Sequence, residues 1–349
     1  MVSDTFNPNQ TTNFALGIGC SLPLGIGFLA NIFLLSALQS VLIESRLTQL
    51  HLRVQALVDM LSCLGSMIFI WLRQLPYTNF IAGWIQCHVW RTQMPYWYMI
   101  TTSTYNLTCI MLNRIWATVY CASYQKYERA YIYWNMFGIV TLSVLAVTPN
   151  AFIVKFENMV CITQVSSDQS TVYRLTRVYQ PLWFSVYHLI PMVIMLISHF
   201  RVVCHFRVEE LKQQEMELQT QPYRWSFSTD EEYEAFPNDP TNPPPFVDPV
   251  HRAMTVGSLC LICCVLLGHT YDSVMFLLAA EVETFIYDYG SDVQAISLFI
   301  STMNTVANPI VIMLSVPCIR VFTAHYLTVR IGNMKHIFRK IFSKTSVSH

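Results

Sequence analysis

The chain has 349 residues, 53% of them hydrophobic and 12% charged, with acidic and basic side chains in equal number. Soluble globular chains carry about 25% charged residues, so the deficit points to burial in lipid and away from one large aqueous core. A net charge of zero carries no footprint of a polyanion-binding surface and excludes nucleic acid as a partner of the whole chain.

Apolar stretches long enough to span a bilayer, about 20 residues or more, fall at about 14–43, 52–75, 89–120, 131–154, 179–207, 251–280 and 291–316. No basic segment with a cleavage site precedes the first, so that stretch is expected to insert uncleaved. No internal repeat of the transporter kind is visible. Placing residues 1–13 outside puts 16 of the 21 Lys and Arg in cytoplasmic segments, the bias that sets orientation in membranes. Asn9-Gln10-Thr11 is then a glycosylation sequon on the outer side.

Taken in order, each stretch carries polar residues that apolar lipid would not tolerate unpartnered. The first holds Asn31, the second Asp59 within Gln55-Ala56-Leu57-Val58-Asp59. The third is preceded by Phe80-Ile81-Ala82-Gly83-Trp84-Ile85-Gln86-Cys87 and ends Leu107-Thr108-Cys109-Ile110-Met111-Leu112-Asn113-Arg114-Ile115-Trp116. Pro191 and His199 lie in the fifth, and Gly268-His269-Thr270-Tyr271-Asp272 in the sixth. The seventh contains Asn304-Thr305-Val306-Ala307-Asn308-Pro309, where Pro309 removes a backbone donor from the helix. Segment 208–250 holds ten acidic residues and a Pro-rich run, and its composition predicts disorder. Residues 317–349 read as an amphipathic helix and basic tail suited to membrane lipids, with Cys318 a candidate for palmitoylation. Cys260, Cys263 and Cys264 lack a second ligand pair nearby and read as packing, not zinc.

These motifs resemble the rhodopsin-like (class A) G-protein-coupled receptors. That family carries Asn-Pro in its seventh helix, Leu-Ala-x-x-Asp in its second, and Leu-Thr-x-Ile-x-Leu-Asp-Arg-Tyr at the end of its third. The resemblance implies an all-α, seven-transmembrane bundle over 14–316, followed by a membrane-surface helix. It implies a receptor and not an enzyme, in the plasma membrane, with its N-terminus extracellular. Its partners would be an extracellular ligand and a heterotrimeric G protein engaged through Asn113, Arg114 and Ile115. It further implies a Cys87–Cys161 disulfide pinning the second outer loop to the third span. Asn31, Asp59, Ser103, Asn304 and Asn308 would form a polar constellation holding a sodium ion, centred on Asp59 and Ser103, or a water network; no other cofactor is expected. The ligand pocket would be lined by Tyr96, Trp97, Trp183, Tyr187, His269 and Asp272.

The departures are as informative as the matches. Asn113 stands where the family has Asp, Gln55 where it has Leu, Ile312 where it has Tyr and Ile319 where it has Phe. His199, His269 and Tyr271 replace the family's Tyr, Trp and Pro, and the fourth span has Ile139 in place of its Trp. Tyr96 stands where amine receptors carry an Asp, so a monoamine ligand is disfavoured and a peptide or other non-monoamine expected. His269 with Asp272 reads either as a contact for a cationic ligand group or as a buried His–Asp hydrogen bond. Cys87 and Arg114 are 27 residues apart, two more than is usual in the family, and Pro95 is the expected site of the distortion. Because the losses fall on the switch machinery, a heptahelical scaffold or decoy that binds ligand without signalling is the alternative. A retinal pigment is excluded, since no Lys lies between 291 and 316.

Overall fold

The computed structural model describes residues 13–43, 45–72, 78–152, 154–163, 178–179, 181–225, 249–281 and 292–330. The Asn9 sequon, the Pro-rich part of segment 208–250 and the tail beyond 330 lie outside the described residues. Seven long helices form the bundle: Phe14–Ser40, Arg46–Trp71, Met94–Val119, Cys121–Val147, Ile190–Trp225, Pro249–Glu281 and Asp292–Ser315; they are called here the first to seventh spans. A further helix over 317–330 follows the seventh.

Short polar side chains start the helices. Asn13, Ser45 and Asn79 each accept from a backbone N–H of the first turn, at Ala15, Thr48 and Ala82, which answers donors the helix itself leaves free. Among the described residues six helices are long and apolar enough to cross a membrane. The third span falls short of that apolarity because it is rich in Thr and Tyr and carries Asn106, Asn113 and Arg114. It buries residues almost continuously from Tyr96 to Asn113, so its neighbours, not lipid, answer its polar groups.

Three boundaries differ from expectation. The third span is not one stretch from residue 89. A π-helical segment, Gln86–Arg91, ends at Gln93 in a left-handed conformation (φ 54°), and the long helix begins at Met94. The surplus spacing between Cys87 and Arg114 is therefore taken up before Pro95, which merely sits in the first turn. Gln93 is fixed by tertiary contact: its Oε1 accepts from Gln294 Nε2 of the seventh span at 3.2 Å. The fourth span starts at Cys121, with only Tyr120 between it and the end of the third. The fifth continues to Trp225, so 208–225 is helix and not part of a disordered loop. Its Glu, Leu, Lys, Gln and Met are all strong helix formers.

Two close approaches set the packing of the first and sixth spans on the seventh. A Cβ on Gly27 would lie 2.6 Å from Val306 Cγ2, and one on Gly257 would collide with Ser315. Small residues let helix backbones draw together in this way. The bundle is layered along its axis. At one end an antiparallel hairpin, β1 (Val154–Glu157) and β2 (Val160–Thr163), turns through Asn158 and Met159, both with positive φ. Cys161 is bonded to Cys87 there. Below come an aromatic cluster of Phe69, Tyr96, Trp97, Trp183 and Tyr187, a polar layer around Asp59, and an apolar plug that includes Leu38, Leu52, Met111, Ile262, Ile312 and Ile319. The two Ile residues that replace the family's Tyr and Phe are thus core packing at 2% and 0% exposure.

Candidate functional site

The polar layer is built from helical spacing. His51, Gln55 and Asp59 are four apart, so they share one face of the second span; Ser103 and Asn106 share the facing side of the third. All five are buried. Ser103 Oγ donates to Asp59 Oδ1 at 2.6 Å, and Asn308 Nδ2 of the seventh span donates to Oδ2 at 2.8 Å. Gln55 Nε2 lies 2.9 and 3.0 Å from the two carboxyl oxygens and 2.7 Å from Ser103 Oγ. Its Oε1 accepts from Asn106 Nδ2 at 2.8 Å. Asn106 Nδ2 also donates to the His51 carbonyl at 2.9 Å, and its Oδ1 accepts from His51 Nδ1 at 2.7 Å.

Of the four residues expected around Asp59, the structure joins Ser103 and Asn308 to it directly. Asn31 belongs to a different contact. Its Nδ2 donates to the Thr305 carbonyl at 3.0 Å, the acceptor that Pro309, four residues on, leaves without an intrahelical donor. Asn304 does not reach Asp59: both ends of its buried amide lack a hydrogen-bond partner among the described residues.

At the far end of the third span, Arg114 Nη1 donates to the carbonyl of Met254 in the sixth span at 2.7 Å. Met254 O also accepts from Ser258 Oγ at 3.1 Å, and Ser258 Oγ meets His199 Nδ1 of the fifth span at 3.4 Å. Asn113 turns away from Arg114 and donates to Thr48 Oγ1 at 3.0 Å. Ile115 is half-buried beside them.

The expected pocket residues do converge, but as a packed cluster. Trp183 stacks on Tyr187 with ring centres 4.4 Å apart; Trp97 meets both edge-on at 5.7 and 6.3 Å. Tyr96 packs against Trp97 and donates to the Leu298 carbonyl at 3.1 Å. The expected His269–Asp272 couple does not form. His269 Nδ1 shares a 2.5 Å hydrogen bond with Tyr187 Oη, its Nε2 has no partner among the described residues, and Asp272 Oδ1 accepts from Ser297 Oγ at 2.5 Å. The imidazole thus reaches the π-helical turn Ser185–Leu189 that leads into the fifth span, and the carboxyl reaches the seventh.

A family model described as 7 transmembrane receptor (rhodopsin family) matches residues 30–311. The chain belongs to this family. No individual curated protein matches it. It is accordingly a multi-pass membrane protein of receptor type, and its Cys87–Cys161 bridge ties the hairpin to the π-helical segment that precedes the third span, where Arg91 Nη1 also donates to the Cys161 carbonyl at 2.8 Å.

For this receptor the fit of a cation at Asp59 can be tested on the donor set. A hard cation takes oxygen ligands. The oxygens of Asp59 and Ser103 already face hydrogen-bond donors, and one of these, Gln55 Nε2, contacts both residues at 2.7 to 3.0 Å. The residues therefore do not fit a sodium ion. Nor do any three His, Cys, Asp or Glu come together as a metal group among the described residues. Sequence reasoning missed Gln55, Asn106 and His51 as members of the site. The signal was present: polar residues one helical turn apart, in register with Asp59.

Proposed function

We propose that the chain is a plasma-membrane receptor, N-terminus outside, that transduces an extracellular ligand to a heterotrimeric G protein through a cytoplasmic cavity at Arg114. The observation that carries this reading is the 2.7 Å bond from Arg114 Nη1 to the Met254 carbonyl. It holds the inner ends of the third and sixth spans together by one contact that must break if those ends part. A ligand that prefers the parted arrangement shifts the population toward it and frees Arg114 for a partner. Opposite, Tyr96 offers a hydroxyl and no carboxylate, and that hydroxyl already serves the seventh span. This favours a peptide or other non-monoamine ligand.

The test is guanine-nucleotide exchange on a panel of G proteins in membranes carrying the receptor, challenged with peptide and lipid pools. The reading requires exchange that Arg114→Ala abolishes while surface expression persists. A wild type silent with every G protein and pool would favour the scaffold or decoy instead.

A further inference from the structure

The second-span carboxamide one turn before Asp59 has a geometry that asks for an explanation beyond helix pairing. A single nitrogen, Gln55 Nε2, sits within 3.0 Å of three oxygens: Asp59 Oδ1, Asp59 Oδ2 and Ser103 Oγ. An amide nitrogen carries two hydrogens, so these contacts are shared among three acceptors, an arrangement closer to a centre of positive potential than to a directed pair. The amide cannot turn round. Its oxygen accepts from Asn106 Nδ2, which is itself set by two contacts to His51. Reversal would put two NH₂ groups face to face and an oxygen against the Asp59 carboxyl. The remaining carboxyl contact, from Asn308 Nδ2, leaves both oxygens of Asp59 with donors on the second-, third- and seventh-span sides.

We propose that the Gln55 carboxamide is a built-in, uncharged substitute for a cation, and that it excludes sodium from the Asp59 site. An ion bridging Asp59 and Ser103 would compete with Nε2 for the three oxygens that it already contacts. Entry would break the three contacts of that nitrogen and strand the Gln55–Asn106–His51 chain in a buried interior. The second and third spans are thus joined at Asp59 by a permanent part of the chain, and the joint is indifferent to the salt outside the cell.

The inference depends on the bundle and not on G-protein coupling, so it is tested without a signalling readout. Purified full-length receptor in nanodiscs is melted, followed by tryptophan fluorescence, in sodium chloride and in choline chloride at equal ionic strength. Sodium-23 line width is recorded alongside. Wild type is expected to give one melting temperature in both salts and no line broadening beyond that of Asp59→Asn. Gln55→Leu and the bulk-conserving Gln55→Met remove the nitrogen. Each is expected to gain a sodium-specific rise on the order of 3 °C at about ten times Kd, together with line broadening. A sodium-specific rise or broadening in wild type that Asp59→Asn removes would overturn the proposal, whether or not the Gln55 variants fold. Folded Gln55 variants that stay indifferent to sodium would overturn the role given to Gln55. A receptor silent in nucleotide exchange leaves all of these readouts unchanged.

Discussion

Arg114 is held by the backbone carbonyl of Met254 at 2.7 Å, and not by the side chain beside it. Asn113 instead ties the third span to the second through Thr48, whose own hydroxyl continues to Ser45 and from there to Tyr124 of the fourth span. This end of the third span is therefore fastened separately to the sixth span and to the second and fourth. Because the acceptor on the sixth span is main chain, no single side-chain change there removes it.

The first prediction concerns this division. Asn113→Asp supplies a carboxylate next to Arg114 and deletes the donor to Thr48. The added charge strengthens the closed arrangement modestly, by about 0.2–1 kcal/mol, or roughly a 1.4- to 5-fold lower ligand-free exchange rate. Basal nucleotide exchange measured against wild type at equal surface expression checks this; an unchanged or higher rate contradicts it.

The second concerns Pro309. The Thr305 carbonyl has no amide hydrogen at position 309 to accept from, and Asn31 Nδ2 fills that role. Asn31→Ala leaves a buried acceptor unmet and should cost about 1–3 kcal/mol. In a Pro309→Ala background the helix can supply its own donor, so the same Asn31→Ala change should cost less. A double-mutant cycle on melting temperature measures the difference, and strict additivity would show that the two residues are unrelated.

The number of spans, their order and the Asp59–Ser103–Asn308 contact were legible in the sequence, because mid-membrane polar groups must find one another and their spacing named the helices. The Gln55 arm was not. In the sequence Gln55 stands out as a departure from a Leu, although its distance of one turn from Asp59 places it on the same face. Proximity along the chain suggests a couple of His269 and Asp272. Three residues of helix set them about 60° apart, enough to aim one at Tyr187 and the other at Ser297. The left-handed turn at Gln93 had no local signal, since its restraint comes from Gln294, far along the chain.

The third prediction tests the hydrogen bond that replaced the expected couple. Tyr187→Phe keeps the stacked aromatic ring on Trp183 and removes only the hydroxyl, leaving His269 with neither ring nitrogen paired among the described residues. A loss of about 1–3 kcal/mol is expected for the stranded imidazole. His269→Phe combined with Tyr187→Phe should recover part of it, since both partners are then apolar. Equal melting temperatures for wild type and Tyr187→Phe would mean that the imidazole finds another partner.

The fourth prediction addresses the seat of the first span on the seventh. A methyl group at Gly27 would meet Val306 Cγ2 at 2.6 Å, Val306 Cβ at 3.0 Å and Cys63 Sγ at 3.1 Å. All three belong to side chains of a buried cluster that has little room to give. Gly27→Ala should therefore lower stability by about 1–3 kcal/mol, the usual cost of overpacking, despite the higher helix propensity of Ala. Val306→Ala in the same chain removes Cγ2, the nearest atom, and should return most of the loss. The displacement also has a functional reading: Gly27 is one turn from Asn31, so pushing the first span outward lengthens the Asn31–Thr305 contact. Gly27→Ala and Asn31→Ala should then be less than additive in melting temperature, whereas full additivity would mean that the first span yields at Gly27 without moving at Asn31.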